Sequence, residues 1–189
     1  MKCRTSMTDP SYLDRCVFEH PPGVHIEKPG PLDPDFLSEG MMPHVQTEPF
    51  PRIRRFRGQD LEKIREIESS AFPKTAYSEE TLLTFFRMMP ETFLLLETDQ
   101  DVAGYILFDA AGHVYSMAVK PAYRRRGYGR SMLEHARKHV KKSLWLEVRS
   151  KNEGAIRFYR NAGMKLLDRI PNYYGTDDAL IMVLDGEKP

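Results

Sequence analysis

The chain has 189 residues, 28 of them Lys or Arg and 27 Asp or Glu, for a formal charge of +1. With 41% hydrophobic and 29% charged residues it can fill one core, and near-neutrality argues against a generally polycationic nucleic-acid binder. No apolar run approaches the roughly 20 residues of a membrane span.

The longest apolar run, Ala179 to Leu184, has the length of a strand. No secretory hydrophobic region opens the chain, so a cytoplasmic location is expected. Cys3 and Cys16 share the terminal stretch and form no metal-ligand spacing with His. That argues against both a disulfide scaffold and a zinc site.

Residues 1–50 differ from the rest. Nine of the fourteen prolines fall at or before Pro51, and the segment carries four basic and eight acidic side chains, so it is −4 and the remainder +5. No helical or strand period survives there. Three readings stand: a loosely ordered arm, an acidic strap on a basic face, or a chain that truly starts at Met41 or Met42. The division expected is an acidic, Pro-rich arm over 1–50 and one domain over 51–189.

From Arg52 the patterns become regular. Ile53–Arg57 reads as a strand. Asp60 caps a helix through Ala71, with Leu61, Ile64 and Ile67 at helical spacing. Phe72-Pro73 ends it. Ser78 opens a second helix, with Glu79 and Glu80 in its first turn, that stops before Pro90. Thr92–Glu97, Val102–Asp109 and His113–Lys120 read as three strands on short turns, hence an antiparallel meander. A helix is expected over Gly127–Lys142, with Met132, Leu133 and Ala136 on one face. Leu144–Arg149 is a strand, Asn152–Asn161 a helix closed by Gly163, and Met164–Ile170 and Ala179–Leu184 are closing strands. The step from His113 through a helix to Arg149 implies a parallel, right-handed crossover. The sheet is therefore expected to be mixed and mostly antiparallel, in an α/β architecture with helices on both faces.

The densest chemistry lies where the third meander strand runs into the third helix. Arg124, Arg125, Arg126, Gly127, Tyr128, Gly129 and Arg130 follow Met117, Ala118 and Val119 at the strand's end. A helix N-terminus exposes unsatisfied N–H groups and partial positive charge, which favours a phosphate. Glycines let backbone approach an anion, and arginines add forked donors. From Lys120 to Lys142 there are nine basic residues and one acidic, Glu134. The segment lacks the full dinucleotide fingerprint and the Gly-Lys-Ser/Thr of a P-loop. A solvated basic loop is the plainer reading of the same residues.

Arg124-x-x-Gly127-x-Gly129 after a strand resembles the pyrophosphate motif of the GNAT acetyltransferases. Leu144-Trp145-Leu146-Glu147-Val148-Arg149, Asn152-x-x-Ala155-Ile156-x-x-Tyr159-x-x-x-Gly163-Met164 and Asn172-Tyr173-Tyr174 followed by Asp178–Met182 match in order and spacing. Ala71-Phe72-Pro73 also fits. Together they resemble the RimI-like branch, which acetylates ribosomal proteins and protein N-termini, over roughly residues 52–185.

The resemblance implies a GNAT fold whose strands 113–120 and 144–149 splay to admit acetyl-CoA, with no metal. Its pantetheine arm would pair with Met117, Ala118 and Val119, its pyrophosphate would sit on Arg124–Arg130, and Asn152 would hold the arm. Glu147 is implied as general base and Tyr159 as general acid. Phe72, Pro73, Tyr77, Tyr173 and Tyr174 are implied to line a peptide N-terminus, a ribosomal protein being one candidate substrate.

The residues support parts of this on their own terms. Burial makes a carboxylate a stronger base, and Glu147 stands in an otherwise apolar strand. Tyr159 lies two helical turns after Asn152, on the same face. Plainer readings are an ion pair for Glu147, a core phenol for Tyr159, and sheet-end packing for the loop aromatics.

Two departures are visible: Lys74-Thr75-Ala76-Tyr77 stands where the branch often has Trp-Ser after Phe-Pro, and Met164 replaces a Phe. His113, His135 and His139 show no metal spacing beyond the helical i, i+4 relation of the last two. A small-amine or lysine acetyltransferase, and a CoA- or RNA-binding module without chemistry, remain alternatives. No membrane partner is expected, and the chain is read as a monomer or homodimer.

Overall fold

The computed structural model describes residues 51–185; the arm, and with it the question of a start at Met41 or Met42, lies outside the described residues. Among the described residues seven strands and four α-helices follow one another: β1 Arg52–Arg55, α1 Leu61–Ala71, α2 Glu79–Met88, β2 Phe93–Glu97, β3 Val102–Phe108, β4 Val114–Val119, α3 Tyr128–His139, β5 Leu144–Arg149, α4 Glu153–Asn161, β6 Lys165–Ile170 and β7 Ala179–Leu184.

The strands form two antiparallel sheets, β1-β2-β3-β4 and β5-β7-β6. The expected parallel neighbours, β4 and β5, meet only at one isolated bridge, His113 to Trp145, where Trp145 N–H donates to Gly112 O at 2.8 Å. Beyond that apex they part. The mixed sheet is thus realised as two sheets joined at a single point, opening as a V.

Gly112 makes the apex possible. Its φ is +93°, and a Cβ there would lie 2.2 Å from Ser143 O, so only glycine fits both the turn and the close approach.

Two apolar layers cover the faces of the larger sheet. Alternation along β2 sends Leu94 and Leu96 to one face and Phe93 and Leu95 to the other. The first face packs on Met132, Leu133 and Ala136 of α3 and Tyr159 of α4, and continues onto Leu144, Leu146 and Val148 of β5. The second packs on Ile64 and Ile67 of α1 and Leu82 and Phe85 of α2. Each fully buried Leu or Ile contributes about 1.5–3 kcal/mol.

Local chemistry explains the boundaries. Ser78 Oγ accepts from Thr81 N–H at the start of α2. Asp60 acts differently from a cap on α1. Its carboxylate accepts Arg57 N–H at 2.9 Å and is gripped by Arg54 at 2.7 and 2.9 Å, closing a short 3-10 turn before the helix. β1 stops at Arg55 because Phe56 is buried and stacks on Phe93 at 4.5 Å. α3 ends at His139, short of Lys142, because Val140 adopts extended backbone and is buried in the α3-side core.

Candidate active site

Alternation along β5 sorts the site. Leu144, Leu146 and Val148 belong to the α3 and α4 side. Trp145, Glu147 and Arg149 therefore face the α1 and α2 side. Glu147 is 0% exposed, and its Oε2 lies 3.0 Å from His113 Nε2. Where Glu147 is the ionised carboxylate it accepts only, and the donor is then the imidazole Nε2–H. The His113 ring stacks on Trp145, with centroids 4.2 Å apart, and leans on Tyr115 at 4.4 Å.

His113 is the residue that sequence reasoning missed. In the sequence it is an unclustered histidine, because its partner lies 34 positions away across the V.

β4 carries a bulge beside this dyad. Leu107 pairs with Ser116 and Phe108 with Val114, so Tyr115 is the extra residue. Asp109 holds the bulge from both ends: Oδ1 accepts His113 N–H at 3.0 Å and Oδ2 accepts Tyr115 O–H at 3.2 Å. After the bulge, Met117, Ala118 and Val119 pair with Ile106, Tyr105 and Gly104 of β3. Their other edge faces the V.

The basic loop follows directly. Lys120 anchors its start, with Nζ at 2.5 Å from Asp101 and 3.1 Å from Glu66. Burial opposes that charge, but the two hydrogen bonds outweigh it and raise the pKa above the ordinary lysine value.

Arg124 folds back to donate to Val119 O at 3.1 Å, Arg126 lies over the Tyr123 ring at 5.3 Å, and Arg130 turns down the helix to Glu134 at 2.8 Å. Arg125 has a left-handed φ of +64°. Gly127 opens α3 with φ +84°, and nothing lies within 4 Å of where its Cβ would be. Tyr128, Gly129 and Arg130 supply the first-turn N–H groups, which have no acceptor inside the helix. Gly129 serves packing, since a Cβ there would meet Phe158 Cζ of α4 at 2.9 Å.

Asn152 caps α4, its Oδ1 accepting Ala155 N–H at 3.1 Å. That leaves its amide NH2 as the group it can offer outward. Tyr159 is buried on the α3 side. Glu147 and Tyr159 therefore belong to opposite faces of the split sheet.

The loop aromatics lie on the Glu147 side. Phe72 closes α1 half-buried, Pro73 is exposed, and Tyr77 is buried edge-on against Phe85 at 5.2 Å. Tyr173 and Tyr174 pack perpendicular at 4.9 Å, and the Arg149 guanidinium sits 4.2 Å above the Tyr174 ring. Asp177, buried beneath, accepts Ser150 O–H at 2.5 Å; that bond, with Lys151 nearby, holds its pKa below the ordinary carboxylate value. Among the described residues no group of three or more His, Cys, Asp or Glu is placed to hold a metal ion, and no helix is long and apolar enough to cross a membrane.

The Acetyltransferase (GNAT) family matches residues 61–164. An uncharacterized N-acetyltransferase of Methanocaldococcus jannaschii is 36% identical over 140 residues, covering 69% of this chain and 89% of that one. The ribosomal protein bS18-alanine N-acetyltransferase of Salmonella typhimurium is 36% identical over 141 residues, covering 66% of this chain and 90% of that one. The crystal structure of the ribosomal-protein-S18-alanine N-acetyltransferase from Escherichia coli superposes with a TM-score of 0.62 at 28% identity, covering 73% of this chain and 95% of that one.

Proposed function

The chain belongs to the GNAT acetyltransferase family, and from that premise we propose that it moves acetyl from acetyl-CoA to the α-amino group of a protein or peptide. Members of the family use acetyl-CoA, and the named relatives that act on a ribosomal protein support a protein substrate. The residues present fit such a cosubstrate: an unpaired strand edge at Met117–Val119, a helix N-terminus with open space at Gly127, and clustered arginines. When bound, acetyl-CoA supplies the thioester acyl group and a thiolate leaving group.

The observation that carries the reading is Glu147, fully buried, held by His113, and facing the loops that bear Tyr77 and Tyr174. An amine arriving on that face delivers its proton to Glu147 directly or through one water. His113 holds the carboxylate in one orientation, and Trp145 holds His113. Tyr159, on the other face, supplies a proton to the departing sulfur.

An α-amine with pKa near 7.7–8.0 is about one-tenth neutral at pH 7, whereas a lysine near 10.4 is neutral in roughly one molecule in a few thousand. A single carboxylate base therefore suits N-termini better than lysines.

The test is mass spectrometry of short peptides with varied N-termini, alongside lysine-containing peptides with blocked N-termini and small amines, each incubated with acetyl-CoA. Acetylation at free α-amines is expected. Modification confined to lysine or small amines would overturn the reading.

A further inference from the structure

A second buried carboxylate lies outside the dyad. Glu68 on α1 is 1% exposed, next along the stripe that buries Ile64 and Ile67. Packing of α1 on the sheet needs only an apolar side chain there, and burying a carboxylate is costly unless it is hydrogen-bonded. What a leucine could not do is accept hydrogen bonds, and Glu68 accepts them from Tyr77 and Tyr105. Its Oε2 takes Tyr77 N–H at 2.7 Å, and its Oε1 takes the Tyr105 hydroxyl. With its one proton committed to Glu68, the Tyr105 oxygen accepts from Ser116 Oγ at 2.6 Å. All four residues are buried.

The two ends of this chain are different in kind. Tyr77 belongs to the α1–α2 loop, with Phe72 and Pro73. Ser116 belongs to β4, directly after the bulge residue Tyr115 and three residues beyond His113. An aromatic line runs in parallel: Tyr77 to Phe85 at 5.2 Å, Phe85 to Tyr115 at 5.8 Å, and Tyr115 to His113 at 4.4 Å. The packing is generic in strength, whereas the carboxylate fixes direction, because it binds one backbone N–H of the loop.

We propose that Glu68 is a positioning residue for the substrate wall: it ties the α1–α2 loop to the reacting strand at a set distance and so determines which leading side chains of the incoming peptide fit. This rests on the peptide α-amine reading above. Glu68 acts through the loop and touches none of the reacting atoms.

The experiment uses the full chain and three variants, Glu68→Gln, Tyr105→Phe and Ser116→Ala. Steady-state kinetics with the peptide panel, acetyl-CoA affinity by calorimetry, and hydrogen exchange of the segment containing 72–78 without substrate are measured on each. Losing a charge-assisted hydrogen bond predicts an approximately tenfold rise in peptide KM for Glu68→Gln, with kcat and acetyl-CoA affinity nearly unchanged. Selectivity between small and large N-terminal residues should narrow, and the 72–78 segment should exchange faster. Tyr105→Phe should show the same pattern more weakly and Ser116→Ala more weakly still.

Should Glu68→Gln not fold, the Tyr105→Phe result decides. Unchanged peptide KM, selectivity and exchange in the folded variants would overturn the proposal, as would a parallel loss of acetyl-CoA affinity or a fall in kcat alone. If the wild-type chain modifies no peptide α-amine, the functional reading fails, while the exchange data still judge the role of Glu68 in holding the loop.

Discussion

Alanine at Gly112 and alanine at Gly127 give the most direct test of the geometry. Both glycines have left-handed φ, +93° and +84°, so both substitutions strain the backbone. At Gly127 that is the whole cost, since nothing lies within 4 Å of the added carbon. The strain is about 1–2 kcal/mol.

At Gly112 the carbon would lie 2.2 Å from Ser143 O, a main-chain atom at the entry to β5. Ordinary C···O contacts begin near 3.3 Å, so backbone must move by about 1 Å. Overpacking of that kind adds roughly 1–3 kcal/mol, for about 2–5 kcal/mol in total. At about 3 °C per kcal/mol for a domain of this size, Gly127→Ala should melt some 3–6 °C lower and Gly112→Ala some 6–15 °C lower.

Function should separate the pair as well. Gly127→Ala should weaken acetyl-CoA binding with little change in kcat, because the loop is disturbed and the dyad is not. Gly112→Ala should lower kcat, because Gly112 O holds Trp145 N–H and His113 is the next residue. Thermal and urea unfolding, with calorimetry and kinetics, read all four quantities. Equal melting losses in the two variants, or a kcat effect in Gly127→Ala alone, would refute the reasoning.

Glu147→Gln and Tyr159→Phe should each lower turnover by about 10²-fold with the fold intact, measured as kcat across a pH series; near-wild-type rates would remove both roles. Glu97 is held at a pKa of about 2, below its ordinary 4.5, chiefly by hydrogen bonding from Arg54 and then Arg52, against the effect of burial. A depressed carboxylate adds stability that is complete above pH 4.5 and is lost as pH falls towards 2. Acid unfolding should therefore flatten over that window in Glu97→Gln. The domain boundary predicts that a chain starting at Met42 folds and keeps acetyltransferase activity, since among the described residues the sheet starts at Arg52 and the catalytic and cofactor candidates all lie after residue 70. An inactive but folded protein would place part of the site in the first 41 residues.

Local signals carried most of the fold. β7 begins and ends where its unbroken apolar run does, and Ser78 caps α2 as its sequence setting predicts. These features depend on neighbours within four residues. Val140 could not be read this way, because only the core it enters reveals that the helix must stop for it. The same limit separates the site residues. Glu147 stands out as a carboxylate in an apolar strand, but its partner His113 becomes visible only once β4 and β5 are set side by side. Glu68 carries no signal of its own in the sequence, because its role depends on Tyr77 and Tyr105, 9 and 37 residues away. Tyr77, expected in a lining loop, is buried with its amide held from below.

The parting of β4 from β5 also bears on how the protein survives in solution. A strand edge with unpaired amides and carbonyls is a template for aggregation, and proteins usually guard such edges with charge. On β6 that guard is present: Leu166 and Leu167 are 51% and 67% exposed, but Lys165 and Arg169 stand beside them, paired to Asp185 and Asp178. The edges inside the V have apolar Met117, Ala118 and Val119 along β4, so they are sheltered by concavity and by whatever fills it. An occupant present at one hundred times its Kd stabilises the folded chain by about 2.7 kcal/mol. With acetyl-CoA as the proposed occupant, the expected outcome is slower aggregation when it is added, read by light scattering during incubation near the melting temperature.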